Sequence, residues 1–216
     1  MRQISSYCLT MSIRPLRASA EQRVLEAAKR CCERWGFEKV SVDDIAADAG
    51  ISRATLYRLF PGGKDVLFEA LRVQELEEFF DRLLLAVGDI DNLEDLLVVA
   101  VSAAMRDMRA DEHLAIMMST APGEVLGDLT VSGMPRIIRV ACAFLTPLVE
   151  PYLGIREASQ VVELLVRLVI SGFLAPSEHM DFSLEADARG FIRKFVLNAY
   201  ESKALTTSTT ETFIRN

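Results

Sequence analysis

The chain has 216 residues, half of them hydrophobic and a quarter charged, which gives a globular protein with ample core material rather than a disordered one. No apolar run reaches the ~18 residues that a membrane span needs; the nearest, Val161 to Leu174, contains Glu163 and Arg167. The net charge of -7 is unevenly divided. Residues 1–64 carry 11 Lys+Arg against 7 Asp+Glu, a balance of +4, whereas residues 65–216 carry 13 against 24, a balance of -11. A basic N-terminal part on an acidic remainder orients a protein on a polyanion.

The first residues do not build a secretory signal, because Ile4 to Met11 is short and broken by Ser5, Ser6 and Thr10. A cytoplasmic protein is expected, with Met1 and Met11 both open as the start. The four cysteines, Cys8, Cys31, Cys32 and Cys142, show no zinc spacing, so neither a metal site nor a cofactor is expected. The adjacent Cys31 and Cys32 read either as two small apolar residues on a helix or as a redox pair.

Residues 1–17 read as a flexible leader. Ser19 followed by Gln22 is a capping box that opens a helix to about Trp35, with Val24, Ala28, Cys31 and Trp35 on one stripe. Ser41 with Asp44 opens a second, short helix whose Val42, Ile45, Ala46 and Ala49 share a face, and Gly50 ends it. Ser52 caps a third helix running to about Phe60, with Ile51, Leu56 and Phe60 turned inward. After the turn Pro61-Gly62-Gly63, Lys64 starts a long helix to about Val87. Further helices are predicted at roughly 91–109, 111–119, 134–153, 156–174 and 184–203. Thr120 to Pro135 reads as a loop or broken helix, and Pro147 and Pro151 are expected to kink or interrupt theirs. Residues 204–216, rich in Thr and Ser, read as a frayed tail. The chain is therefore expected to be all-α: a head over 18–63, a helical body over 64–203, and no strand.

Three short helices, the last two joined by a Gly-containing turn, form the pattern of a helix-turn-helix unit. Such a unit places the N-terminal part of its second helix in the DNA major groove. In Ser52-Arg53-Ala54-Thr55-Leu56-Tyr57-Arg58 the outward residues are then Arg53, Thr55, Tyr57 and Arg58. Arginine forks onto guanine or phosphate, threonine meets a thymine methyl or a base edge, and tyrosine donates to phosphate. Against this stand blander roles: Tyr57 as cover for the helix packing, Arg53 and Arg58 as ordinary surface charges.

Over Ser41 to Leu67 the sequence resembles the TetR/AcrR family of transcriptional regulators. The residues that carry the likeness are Ser41-Val42-Asp43-Asp44-Ile45-Ala46, then Ala49-Gly50-Ile51-Ser52-Arg53-Ala54-Thr55-Leu56-Tyr57, then Phe60 and Lys64-Asp65-Val66-Leu67. The resemblance implies DNA contacts from Ser41, which caps its helix and offers its backbone N–H to a phosphate, and from Ser52, Arg53, Thr55, Tyr57 and Arg58. It further implies a phosphate clamp from Lys64 at a helix N-terminus. The sequence departs from the family at Leu59, where a His or Tyr is common, and in the turn Pro61-Gly62-Gly63, which is one residue longer.

The resemblance also implies a body that binds a small effector and dimerises through its last two helices, here about 156–174 and 184–203. Independently of it, Val161 to Leu174 is apolar nearly all round, and Ala188, Phe191, Phe195 and Ala199 form a stripe on the next helix. Met105, Met108, Met117, Met118, Phe144 and Phe173 are candidates to line an apolar effector pocket, with plain core as the competing reading. The resulting expectation is a homodimeric, ligand-responsive regulator of double-stranded DNA, a repressor released by a largely apolar effector. The alternative is a helical ligand-binding or interaction protein whose DNA head has degenerated. Enzymatic activity is not expected: His113 and His179 lie in separate segments beside no nucleophile motif, and no phosphate-binding loop is present.

Overall fold

The computed structural model describes residues 19–200, and every regular element among them is helical. The expected leader 1–17 and tail 204–216 lie outside the described residues. The chain divides into two compact units, one ending at Gln74 and the other beginning at Glu75.

The first unit contains α1 (Ala20–Trp35), α2 (Val42–Asp48), α3 (Arg53–Leu59) and the opening turns of α4 (Lys64–Val87). Each of the first three starts on a serine. The Ser19 hydroxyl accepts from Gln22 N at 3.1 Å, Ser41 forms a reciprocal box with Asp44, and Ser52 accepts from Thr55 N at 3.1 Å. Val24, Ala28 and Cys31 of α1, Ile45 and Ala46 of α2, and Leu56 and Phe60 around α3 close the core. Trp35, expected on the same stripe, is 46% exposed because it stands on the last turn, beyond the helices that cover the rest. Leu67, Phe68 and Leu71 of α4 complete this core, which is why the head's compact unit runs on to Gln74. Arg30 and Arg34 of α1 both reach Asp48 at the end of α2, at 2.7 and 3.3 Å.

The second unit contains the rest of α4, then α5 (Leu93–Ala110), α6 (Glu112–Thr120), α7 (Pro122–Leu129), α8 (Met134–Leu153), α9 (Ile155–Leu174) and α10 (Glu185–Phe191), which runs into a π-helical stretch, Ile192–Leu197. Its core draws Phe80 and Leu83 from α4, Leu97, Val101 and Met105 from α5, Leu145 and Val149 from α8, and Val161, Leu165 and Val169 from α9. α8 and α9 pack together more extensively than any other pair and are joined through Gly154 alone.

Three expectations are sharpened. The segment after Thr120 contains a full two-turn helix, α7, because Pro122 occupies the start, where a missing N–H costs nothing. α8 is not interrupted by Pro147 or Pro151. The two prolines stand four residues apart on the exposed face, so the carbonyls they deprive of a helical donor, on Ala143 and Pro147, lie toward solvent rather than in the core. The stripe Ala188, Phe191, Phe195, Ala199 divides: Ala188 joins Ile192 and Val196 in the buried set, while Phe191 and Phe195, with ring centroids 4.9 Å apart, lie farther out, Phe195 56% exposed.

Candidate nucleic-acid interface

α2 and α3 are linked by a tight turn in which Gly50 takes φ +67° and Ile51 N donates to Ala46 O at 3.0 Å. Leu56, fully buried, anchors α3 to the head's core, and Leu59 packs against the same core. Fixing that face turns Arg53, Tyr57 and Arg58 outward. Arg58 is exposed and makes no hydrogen bond or ion pair among the described residues.

Tyr57 is 40% exposed, and its ring rests on the turn into α4. Gly63, at φ +69°, is what admits it, since a Cβ there would lie 3.0 Å from Tyr57 Cε1. The longer turn Pro61-Gly62-Gly63 is therefore built around the tyrosine. The Arg53 guanidinium stands over the ring, with Cζ 5.5 Å from its centroid, and its Nη1 donates to Asp43 Oδ2 of α2 at 2.9 Å. Sequence reasoning missed Asp43. The two residues are ten positions apart on different helices, and no helical spacing signals such a pair.

The other expected contact residues are already engaged within the head. The Ser41 hydroxyl accepts from Asp44 N at 3.2 Å, and Ser41 N donates to Asp44 Oδ2 at 3.0 Å. The bond that the Ser41 hydroxyl donates to Asp44 Oδ2, and after it the one from Ser41 N, hold the Asp44 carboxyl below the usual carboxylate range. The Ser41 N–H must leave Asp44 before it can meet a phosphate. The Ser52 and Thr55 hydroxyls lie 2.9 Å apart in the cap of α3. Lys64 turns inward: Nζ donates to Phe37 O at 2.8 Å and stands 4.9 and 5.6 Å from the ring centroids of Phe37 and Phe68. In this conformation its ammonium ties α4 to the turn after α1 instead of pointing at a ligand. The structure thus brings Arg53, Tyr57 and Arg58 together on one outward face and leaves Ser41, Ser52, Thr55 and Lys64 as head-building residues.

Residues 24–71, from the core of α1 into α4, match the sequence profile of the bacterial regulatory proteins of the tetR family. The HTH-type transcriptional regulator Rv1255c of Mycobacterium tuberculosis is 29% identical over 181 residues, spanning 82% of this chain and 84% of its own. The head thus carries the DNA-binding sequence of the tetR family, and most of the chain is similar to an HTH-type transcriptional regulator. The fold is all-helical. Over 60 residues, 28% of each chain, the sequence is 42% identical to the HTH-type transcriptional regulator EthR of Mycolicibacterium smegmatis. The TetR-family fold extends through the body. The TetR family repressor AlkX from Dietzia sp., implicated in biodegradation of n-alkanes, superposes with a TM-score of 0.64 at 24% identity, covering 87% of this chain and 97% of that one. The regulator FadR from Bacillus subtilis, in complex with stearoyl-CoA, superposes with a TM-score of 0.51 at 16% identity, covering 81% and 98%.

In the body the candidate pocket residues separate into two groups. Met105 is fully buried, and Met108, Phe144 and Phe173 pack on the same core, with Phe144 stacked on Phe80 at 5.7 Å. Packing around Met105 is tight: a Cβ on Gly172 would lie 3.2 Å from its Cε and 3.3 Å from Phe182 Cδ2. Met117 and Met118 lie half-buried on α6, a helix with no fully buried residue. The side chain of His113, also on α6, is 14% exposed, with Nε2 3.5 Å from Glu75 Oε1 of α4. Among the described residues no group of three His, Cys, Asp or Glu is placed to hold a metal ion, and no helix is long and apolar enough to cross a membrane.

Proposed function

We propose that the protein is a cytoplasmic, homodimeric repressor that leaves its operator when a small, largely apolar effector fills the body. The observation that carries the DNA half is the outward trio Arg53, Tyr57 and Arg58 on a helix held from behind by Leu56. Two cations and a phenol on the leading face of a second helix suit a groove lined by phosphates and base edges. Ser41 and Lys64 would add phosphate contacts only by giving up their present partners within the head.

The effector half draws on the methionines and phenylalanines of the body and on the n-alkane and stearoyl-CoA associations of AlkX and FadR. α6, with Met117 and Met118 and no buried residue, is the helix whose displacement would cost least, so effector entry is assigned there. The dimer half rests on Leu164 of α9, 49% exposed, and Phe195 of the π stretch. Both are large apolar side chains in the helices assigned to the partner contact. Release follows if the effector favours an arrangement in which the two recognition helices no longer match their half-sites, since equal affinity for both arrangements shifts nothing.

The test is fluorescence anisotropy against the duplex that the protein selects from a random-sequence library, at several salt concentrations and with Arg53→Ala/Arg58→Ala as control. Tight binding that weakens steeply with salt and is lost in the control supports the reading. Failure to enrich any duplex over random DNA sinks it in favour of a binding protein with an inactive head. Addition of stearoyl-CoA or a long-chain alkane to the preformed complex then tests release.

A further inference from the structure

The Asp43–Arg53 pair is out of keeping with its surroundings. Both side chains are about 60% exposed (61% and 62%), and an exposed ion pair of this kind contributes on the order of 0–1 kcal/mol to stability. A carboxylate on the basic head also opposes the attraction to phosphate on which DNA binding depends. Asp43 is therefore a cost to general DNA affinity that its modest gains, an exposed ion pair and a place in the first turn of α2, do not account for. What it does is geometric. Its Oδ2 takes one N–H of Arg53, 2.9 Å away, while the Tyr57 ring lies beneath the guanidinium and Gly63 leaves room for that ring. A guanidinium has five N–H donors, so a bond through Nη1 leaves others to reach outward in a fixed plane.

We propose that Asp43 is a specificity-determining positioning residue: it pre-orients the Arg53 fork for a base edge and penalises loose phosphate contacts. An arginine free to sweep its rotamers grips any phosphate within reach. One held at a carboxylate spends little conformational entropy on meeting a guanine whose O6 and N7 lie in its plane, and gains little by trading one anion for another. The inference rests on Arg53 facing DNA, as the proposed function has it.

The experiment compares wild type, Asp43→Asn, Arg53→Ala and the double variant on two duplexes, the library-selected one and a scramble of it. In Asp43→Asn the affinity for the scramble rises and the ratio between duplexes falls by about tenfold or more. Repeating the selection with this variant gives a relaxed base preference at one position of each half-site. In the Arg53→Ala background the same substitution leaves the ratio unchanged. Equal tightening on both duplexes would reduce Asp43 to a charge in the general field and overturn the proposal. So would an undiminished effect in the Arg53→Ala background. If Arg53→Ala binds the selected duplex as tightly as wild type, this inference fails while the regulator reading stands; if wild type selects nothing, the reading itself fails.

Discussion

Tyr57 stands where the recognition helix, the Arg53 guanidinium and the turn into α4 meet, so its two ends carry different duties. The ring packs on Gly63, and the hydroxyl is left for a phosphate. Tyr57→Phe keeps the packing and is expected to weaken binding to the selected duplex by about 1 kcal/mol, the net worth of one hydrogen bond, at an unchanged thermal midpoint. Arg58→Ala should weaken binding to all duplexes alike and lower the salt slope by about one. A loss of thermal stability in either variant would show that the residue serves the fold instead. Gly63→Ala tests the turn. At φ +69° with a Cβ contact at 3.0 Å it meets both backbone strain and the ring, whereas Gly50→Ala at φ +67° meets strain alone, having nothing within 4 Å. Each strained φ costs on the order of 1–3 kcal/mol. Urea denaturation should therefore rank Gly63→Ala below Gly50→Ala, and only the former should also impair DNA binding.

At the scale of elements, charge clusters fasten α5, near its start, to the last helix and, near its end, to the turn before that helix. Near the start of α5, Arg189 reaches Glu94 at 2.6 Å and Asp95 at 2.5 Å, and Arg193 reaches Glu94 at 2.8 Å. Near its end, Arg109 bonds Asp181 at 2.8 Å and Arg106 donates to Ser183 O at 3.0 Å. The bonds from Arg193 and then Arg189 hold the Glu94 carboxyl below its usual range; for Asp95 the Asn92 amide leads and Arg189 follows, and for Asp181 the Ser183 backbone N–H leads. A carboxyl depressed in the folded state stabilises the fold above its unfolded pKa, and that contribution is lost as pH falls through the folded value. The body should thus keep this contribution above about pH 5 and lose it below about pH 4, given ordinary values near 4. Thermal melts across that range should show a smaller acid loss in Glu94→Gln than in wild type. An identical profile would mean that the arginines contribute nothing to folding.

For the molecule as a whole, the proposed dimer raises the question of which surface a second copy covers. Leu165 lies in the middle of an apolar run, yet it is buried in the chain's own core at 7% exposure, whereas its neighbour Leu164 is 49% exposed. Leu165→Asp is therefore expected to unfold the body, because a carboxylate placed in a packed core has no partner. Leu164→Asp and Phe195→Asp should instead leave the far-ultraviolet circular dichroism intact and yield monomers in light scattering. Folded dimers in both variants would remove α9 and the π stretch from the interface. Loss of the dimer should also weaken operator binding far more than any single contact does, since two heads must engage half-sites about 34–36 Å apart.

Local chemistry carried the head. Serine caps, a glycine that accepts positive φ and apolar residues at helical spacing act over four or five positions, so Ser41, Gly50, Ser52 and Leu56 could be read directly from the chain. The same short range made the body's helices legible from α5 to α9, apart from α7, where Pro122 and two glycines mimic a loop. Where a side chain ends up depends on partners far away in sequence. Lys64 turns inward because Phe37 O lies 27 residues earlier, and Arg53 leans on an aspartate of another helix. Leu164 and Leu165 look alike in the sequence, and only the packing of α9 on its neighbours buries one and exposes the other. The π stretch is a still clearer case. The spacing from Ala188 to Ala199 reads as one stripe, and packing divides it, with Ala188, Ile192 and Val196 inside and Phe195 outside.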